Sequence, residues 1–182
     1  NANNVVIGSN RLAIQAAADE LDGRGYPAWR MTYRLQGEAG QVARALAAVA
    51  LECRSSGQPA AAPAAFLWGG ETTVTLGPEA GQGGRNQELA LAMAPDLAGA
   101  PGIGALCAGT DGSDGPTDAA GGWVDGATAG RAGLGQIQAA LAGHDAGGVL
   151  ERLGDRLVTG PTGTNVMDLA IVLVAGDPPG GG

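Results

Sequence analysis

The sequence Gly69-Gly70-Glu71-Thr72-Thr73-Val74-Thr75-Leu76 runs through the loop Gly77–Gly84 into Arg85-Asn86-Gln87-Glu88 and an apolar helix. A second loop, Ala108–Asp118, is rich in glycine and aspartate and follows the next apolar strand. The side chains of interest in and beside the two loops are those of Arg85, Glu71, Asp111, Asp114 and Asp118. Glycine lets backbone N–H groups approach an anion, and a helix N-terminus adds partial positive charge. The stretch 69–125 therefore decides the fold and predicts a phosphate or metal–phosphate site.

The composition fits one α/β domain or one half of a larger enzyme. The chain has 182 residues, of which 45% are hydrophobic, and its 34 glycines fall between periodic segments. The net charge is −8, and no nucleic-acid partner is expected because binding a phosphate backbone needs a basic face. The sequence shows no membrane-length apolar run and no signal-peptide pattern. We therefore expect a cytoplasmic protein without a membrane partner.

Hydrophobic periodicity predicts alternating strands and helices. The predicted strands are 5–7, 28–33, 65–68, 72–76, 104–108, 123–124, 157–159 and 169–174. The predicted helices are 11–21, 38–54, 87–97, 127–132, 135–141 and 146–153. Ser9 or Asn10 is expected to cap the first helix, and Asn86 the third. The short link between strands 65–68 and 72–76 favours a hairpin. These patterns predict a three-layer α/β/α domain with a mixed, mostly parallel sheet that includes one hairpin.

Arg85 and the two glycines before it, Gly83 and Gly84, are candidates for binding phosphate. The loop amides, the start of the helix and the arginine fork all favour an anion at this position. No Gly-Lys-Ser/Thr follows, so the loop is not a Walker A motif. The alternative is a plain strand-to-helix connection with a surface arginine.

Three aspartates follow the predicted strand 104–108. In open α/β sheets, ligands gather beyond the carboxyl ends of the strands. Carboxylates there suit Mg²⁺, which takes one or two carboxylates together with phosphate oxygens. The alternative is that Asp111, Asp114 and Asp118 act only as turn and cap residues.

The remaining signals are weaker. The loop 160–165 is either another backbone cradle or a tight turn, and Glu71 either orients Arg85 or is solvated. His144 is the only histidine, and no nucleophile motif accompanies it, so a hydrolytic triad is not expected. No Gly-x-Gly-x-x-Gly follows a strand, which argues against nicotinamide binding by this chain.

Four motifs in this order resemble the C-terminal MOFRL domain of class II glycerate 2-kinases, a family often labelled hydroxypyruvate reductases. The motifs are Gly69–Val74, Gly83–Glu88, Ala108–Gly121 and Thr159–Val166. The segment Val6–Asn10 also resembles the residues that lead into this domain.

The resemblance implies phosphorylation of D-glycerate at its 2-hydroxyl by ATP, with Mg²⁺, in a cleft between two domains. Under this hypothesis Arg85 stabilises the transferring phosphoryl group, and Asp111 holds Mg²⁺ or accepts the hydroxyl proton. The residues expected to contact or support substrate and phosphate are Glu71, Gly83, Gly84, Asn86, Asp114, Asp118, Thr162, Gly163, Thr164 and Asn165.

The resemblance also divides the chain. Residues 1–60 lead in from an N-terminal Rossmann-like domain, residues 61–176 form the MOFRL domain, and residues 177–182 are a disordered tail. The absent domain is expected to carry a functional lysine, which this lysine-free chain does not supply. We expect the isolated chain to fold but to be inactive. Gln82 departs from relatives, which often have a basic residue there, so this position is not expected to touch phosphate.

Two other functions stay open at this point. One is an NAD(P)H-dependent hydroxypyruvate reductase, and the other is a non-catalytic ligand-binding domain. The oligomeric state also stays open, a homodimer included.

Overall fold

The computed structural model describes residue 3 and residues 5–176, and within them six strands form one open sheet. The strands are β1 (Ala28–Leu35), β2 (Ala64–Gly70), β3 (Ile103–Gly109), β4 (Gly121–Asp125), β5 (Arg156–Leu157) and β6 (Asp168–Val174). Their order across the sheet is β1-β2-β6-β3-β4-β5. The pair β1–β2 is parallel, and the other four neighbouring pairs are antiparallel.

Helices cover both faces of this sheet. They are α1 (Asn10–Gly23), α2 (Ala39–Ser56), α3 (Arg85–Met93), α4 (Thr128–Ala132), α5 (Leu134–Ala142) and α6 (Ala146–Leu153). On one face, α1 buries Ile14 and Ala18 against Ala65 and Leu67 of β2. The other helices share the larger core on the opposite face, around Phe66. The predicted three-layer α/β/α domain with a mixed sheet is thereby confirmed. In the described part of the chain, no helix has the length and apolarity needed to cross a membrane.

The prediction that the sheet is mostly parallel is wrong. Strands joined by a long helix tend to run in the same direction, and β1, β2 and β3 do so. The last strand, β6, lies between β2 and β3 and pairs with both in the antiparallel sense. Local periodicity carries no signal for this insertion, because it joins segments far apart in the sequence.

The predicted hairpin between 65–68 and 72–76 is also wrong. Both edges of β2 are already paired, with β1 and β6, so no edge is left for a third partner. The residues after β2 leave the sheet and are held by Glu38 instead. Its carboxylate accepts hydrogen bonds from the hydroxyls of Thr73 and Thr75, and these bonds, that of Thr75 foremost, lower the pKa of Glu38.

The predicted strand 5–7 does not form, and its three apolar side chains are exposed. Ser9 caps α1, as predicted, by accepting a hydrogen bond from the N–H of Leu12. Asn86 does not cap α3, because that helix begins one residue earlier, at Arg85.

The predicted tail 177–182 lies outside the described residues. The division at residue 60 stays a prediction, and α1, β1 and α2 pack into the same sheet and cores as the rest.

A close contact ties the start of α1 to the middle of the sheet. The side-chain amide of Asn10 donates to the carbonyls of Val166 and Asp168, at 2.9 and 3.0 Å. Its Oδ1 atom lies so near Gly69 that a Cβ on that residue would meet it at 1.7 Å. Only glycine fits at position 69 while Asn10 stays in place.

Gly69→Ala is therefore expected to lower the free energy of unfolding by about 1–3 kcal/mol, the usual effect of overpacking a buried contact. Denaturant unfolding of the chain measures this change. Gly40→Ala is the control, because a Cβ at Gly40, in the first turn of α2, meets nothing within 4 Å. Equal unfolding midpoints for the two variants would show that the side chain of Asn10 moves aside for a Cβ at position 69 without loss of stability.

Candidate functional site

One end of the sheet brings together three residues from neighbouring strands. Asp168, the first residue of β6, lies between Gly70 at the end of β2 and Gly109 at the end of β3. The carboxylate of Asp168 is thus flanked by two residues without side chains. This is the end to which the carboxyl termini of β2 and β3 point, where ligands of α/β sheets gather.

Arg85, the first residue of α3, binds this carboxylate with one edge of its guanidinium. Its Nε and Nη2 atoms donate to the two oxygens of Asp168 at 2.6 and 3.0 Å. Its Nη1 atom lies 2.9 Å from the carboxylate of Glu71. Hydrogen bonding to Asp168 raises the pKa of Arg85, so the guanidinium stays charged and fixed in orientation.

The two carboxylates that hold Arg85 differ in exposure. The side chain of Asp168 is 9% exposed and is packed into the sheet, whereas that of Glu71 is 51% exposed. An exposed ion pair of this kind contributes only about 0–1 kcal/mol. An incoming anion therefore replaces Glu71 more easily than Asp168.

A cavity of about 740 Å³ opens beside this arginine, and we call it the Arg85 pocket. Its walls include Glu71, Gly83, Gly84, Arg85, Glu88 and His144. The backbone N–H groups of Gly83 and Gly84 make no hydrogen bond within the described part of the chain. The pocket thus combines a fixed guanidinium with two free backbone donors at the start of a helix, an arrangement that suits an anion.

Asp114 does not lie in this pocket, and the expectation that it contacts substrate is not supported by its position. It is 3% exposed and faces the first turn of α3. Its carboxylate accepts hydrogen bonds from the backbone and side-chain N–H groups of Asn86 and Gln87. Burial raises the pKa of Asp114, and these hydrogen bonds act in the opposite direction. Asp114 and Asn86 therefore hold the helix that presents Arg85.

Asp114→Asn is expected to lower the free energy of unfolding by about 2–3 kcal/mol, because an amide leaves buried donors of α3 without an acceptor. The matched control is Asp118→Asn, whose side chain is 69% exposed and pairs with Arg156. That control should stay within about 0.5 kcal/mol of the parent chain. Denaturant unfolding measures the stability of both variants. An Asp114→Asn variant as stable as the parent chain would contradict a capping role.

Asp111 lies on a different part of the site, where two loops meet. Its Oδ1 atom accepts from the N–H of Ser113 at 3.0 Å, and its Oδ2 atom from the side chain of Asn165 at 3.1 Å. The hydroxyl of Thr162 donates to the carbonyl of Thr110, which joins the same loops. A Cβ at Gly112 would meet the carbonyl of Gly160 at 2.1 Å, so the two backbones approach closely at this glycine.

The predicted substrate contacts Thr162, Gly163, Thr164 and Asn165 therefore lie on the loop that packs against Asp111. This loop is exposed, and a Cβ at Gly163 would meet nothing within 4 Å. A Cβ at Gly109 would meet Oδ1 of Asp111 at 3.1 Å and Oδ1 of Asp168 at 3.5 Å. Asp111 is thus a neighbour of the carboxylate that fixes Arg85.

The idea that the three aspartates form one cluster is wrong. Asp114 is buried under α3, and Asp118 points to Arg156. Across residue 3 and residues 5–176, no group of three His, Cys, Asp or Glu side chains is placed to hold a metal ion. The donor set fits Mg²⁺ only as an ion that arrives with phosphate oxygens, for which one carboxylate, Asp111, is enough.

Sequence reasoning missed Asp168 and the pair Glu88–His144. The signal for Asp168 was an acidic residue at the first position of an apolar strand, directly after a glycine loop. His144 was set aside because no nucleophile motif accompanied it. The structure places its ring in the wall of the Arg85 pocket, 2.9 Å from the carboxylate of Glu88.

Comparison with known proteins gives both a sequence family and structural neighbours. Residues 64–168 match the MOFRL family. The chain is 38% identical over 177 residues to a glycerate 2-kinase of Pyrococcus horikoshii, covering 96% of this chain and 40% of the relative. It is 41% identical over 173 residues to a "Putative hydroxypyruvate reductase" of Agrobacterium vitis, covering 93% of this chain and 39% of the relative.

The fold comparison points the same way. The crystal structure of glycerate kinase from Thermotoga maritima is similar, with a TM-score of 0.90 and 42% identity. The match covers 94% of this chain and 42% of that structure. This chain therefore spans about two fifths of the length of the relatives that it matches.

Proposed function

The chain belongs to the MOFRL family, and from that premise we propose that it is the C-terminal part of a glycerate 2-kinase. The reaction that we propose is phosphorylation of D-glycerate at its 2-hydroxyl, with ATP as the phosphoryl donor and Mg²⁺ as the cofactor. The hydroxyl oxygen forms a bond to the γ-phosphorus while the bond from that phosphorus to the β–γ bridging oxygen breaks. The hydroxyl proton is released, and ADP leaves.

The observation that carries this proposal is the position of Arg85. Phosphoryl transfer spreads negative charge over the transferring oxygens, so catalysis depends on positioned positive groups. Arg85 is fixed by Asp168 and opens onto a pocket that also presents the free N–H groups of Gly83 and Gly84. In the proposed reaction the phosphoryl group or the substrate carboxylate replaces Glu71 on the guanidinium.

We assign Asp111 to the magnesium ion of the nucleotide. Asp111 would hold this ion, which would supply positive charge to the phosphate oxygens. The chain's own contribution is to hold Asp111 in place through Ser113 and Asn165. The loop 160–165 then faces the nucleotide with exposed backbone.

We also propose that the nucleotide pocket and a cationic group are completed by an N-terminal domain. In the relatives, more than half of the sequence lies outside the part that this chain matches. The acidic and basic side chains in the walls of the Arg85 pocket include two glutamates, one arginine and one histidine, and the arginine is already matched by Asp168. Such a site does not attract ATP and glycerate without added positive charge.

A coupled assay of ADP release by the full-length protein tests the proposal. We expect ADP release that depends on D-glycerate, and no oxidation of NADH or NADPH when hydroxypyruvate is supplied. Oxidation of NADH or NADPH by hydroxypyruvate, without glycerate-dependent ADP release, would favour the reductase that one relative's name suggests. Glycerate binding without turnover of either kind would favour a non-catalytic ligand-binding protein.

A further inference from the structure

Glu88 and His144 form a hydrogen-bonded pair inside the Arg85 pocket. The Nδ1 atom of His144 lies 2.9 Å from the carboxylate of Glu88. Glu88 is buried, with 8% of its surface exposed. Within the described residues, Nε2 of the ring has no partner and is not among the buried polar atoms. Glu88 thus holds one nitrogen of the ring and leaves the other accessible, the arrangement that fixes tautomer and orientation in functional histidines.

The backbone around His144 is strained and held in place. His144 has a φ of 52°, in the left-handed region that residues other than glycine seldom adopt. Hydrogen bonds on both sides fix this segment to the glycine loop: Gly81 N–H to the carbonyl of Gly143, and Gln82 N–H to the carboxylate of Asp145. Strain held by surrounding contacts is found at functional sites. A simple surface ion pair does not require it.

The pair shares one pocket with Arg85. Arg85 and Glu88 are three residues apart on α3, so they share one face of the helix, with Cβ atoms about 5–6 Å apart. The ring of His144 contacts Glu88, so it lies next to this face of α3. Arg85 and His144 line the same pocket, so a small acid whose anionic group lies on Arg85 shares that pocket with the ring of His144.

We propose that His144, positioned by Glu88, recognises a hydroxyl group of the small hydroxy acid bound at Arg85. With the proton on Nδ1 donated to Glu88, Nε2 is a free acceptor for the O–H of the ligand. Arg85 selects an anion, and His144 selects a hydroxyl. This inference rests on the proposed function, because it takes the ligand to be a hydroxy acid such as glycerate.

Nuclear magnetic resonance of the full-length protein tests the inference directly, because the ring ¹⁵N signals of His144 are assigned by their absence from the His144→Gln variant. D-glycerate is the probe, and propionate, a three-carbon carboxylate without hydroxyls, is the matched control ligand. We expect the free ring to carry its proton on Nδ1. We further expect D-glycerate to shift the Nε2 signal and propionate to leave it unchanged.

Variants of the full-length protein provide the second readout. His144→Gln and Glu88→Gln should raise KM for D-glycerate about three- to tenfold, the effect of one lost hydrogen bond, with a smaller change in kcat. Glu151→Gln, on α6, is the control, because Glu151 pairs with Arg156 and does not line the pocket. It should behave as the parent.

Each outcome has a definite meaning. A glycerate-specific shift of Nε2 together with the KM change supports the inference. An unmoved Nε2 signal overturns it, whether or not the amides of Gly83 and Gly84 respond to glycerate. The proposed function is decided separately by ADP release in the parent full-length protein, so the two ideas fail on different measurements.

Discussion

Arg85→Ala in the full-length protein is expected to lower kcat for glycerate phosphorylation by about 10³-fold. The guanidinium is held by the buried carboxylate of Asp168, so its position does not depend on ligand. Charge that develops on the transferring phosphoryl group therefore meets a donor that needs no rearrangement. Arg85→Lys should also be impaired, because lysine keeps the charge but cannot hold Asp168 with two parallel hydrogen bonds.

The control for this loss is Arg156→Ala. Arg156 pairs with Asp118 and Glu151 and does not line the pocket, so its removal should leave kcat within about twofold, the size of a small surface effect. Removing Arg85 also leaves Asp168 without its partner, so the folded fraction of each variant has to be measured by circular dichroism. Rapid glycerate-dependent turnover by folded Arg85→Ala would contradict the role of Arg85.

The isolated 182-residue chain is expected to fold and to phosphorylate glycerate at least about 10⁴-fold more slowly than the full-length protein. Folding follows from a continuous core that joins the sheet to five helices on one face. Inactivity follows from the charges of the pocket. Arg85 is matched by Asp168 and Glu71, and the buried Glu88 adds a further carboxylate. Nucleotide and glycerate are both anions, so they need cations that this chain does not provide.

The measurement is turnover of both proteins at saturating D-glycerate and magnesium nucleotide. A cooperative thermal transition shows whether the isolated chain is folded. A folded chain without activity agrees with a catalytic centre divided between two domains. Comparable rates would show that these residues hold the whole catalytic centre, and the division of labour proposed above would be wrong.

Local sequence patterns were sufficient for most elements of the fold. Helices α1, α2 and α6 and strands β1 and β6 carry clear apolar periodicity, and each forms close to its predicted bounds. The errors lie where pairing is non-local. The insertion of β6 between β2 and β3 makes the sheet mostly antiparallel, and the same insertion leaves Thr72–Leu76 without a strand partner.

Part of the site's geometry also follows from the sequence. Glycines next to an arginine at a helix start predict an anion site at Arg85, which stays a prediction, and of the two alternatives for Glu71 the structure shows the contact with Arg85. Asp168 and His144 were not identified because each reaches the site from a segment far away in the sequence. The role predicted for Asp114 has a second explanation in the structure. A carboxylate in a glycine loop suits a metal ligand and a helix cap equally well, and only its burial against α3 distinguishes them.

The most direct test of the central claim is a crystal structure of the full-length protein with D-glycerate, magnesium ADP and aluminium fluoride, which stands in for the transferring phosphoryl group. We expect the fluoride ligands to lie within hydrogen-bond distance of Arg85 and of the N–H groups of Gly83 and Gly84. We also expect Glu71 to have left the guanidinium while Asp168 still holds it. A structure in which Arg85 keeps both carboxylates and the transition-state analogue binds elsewhere would contradict the role of Arg85.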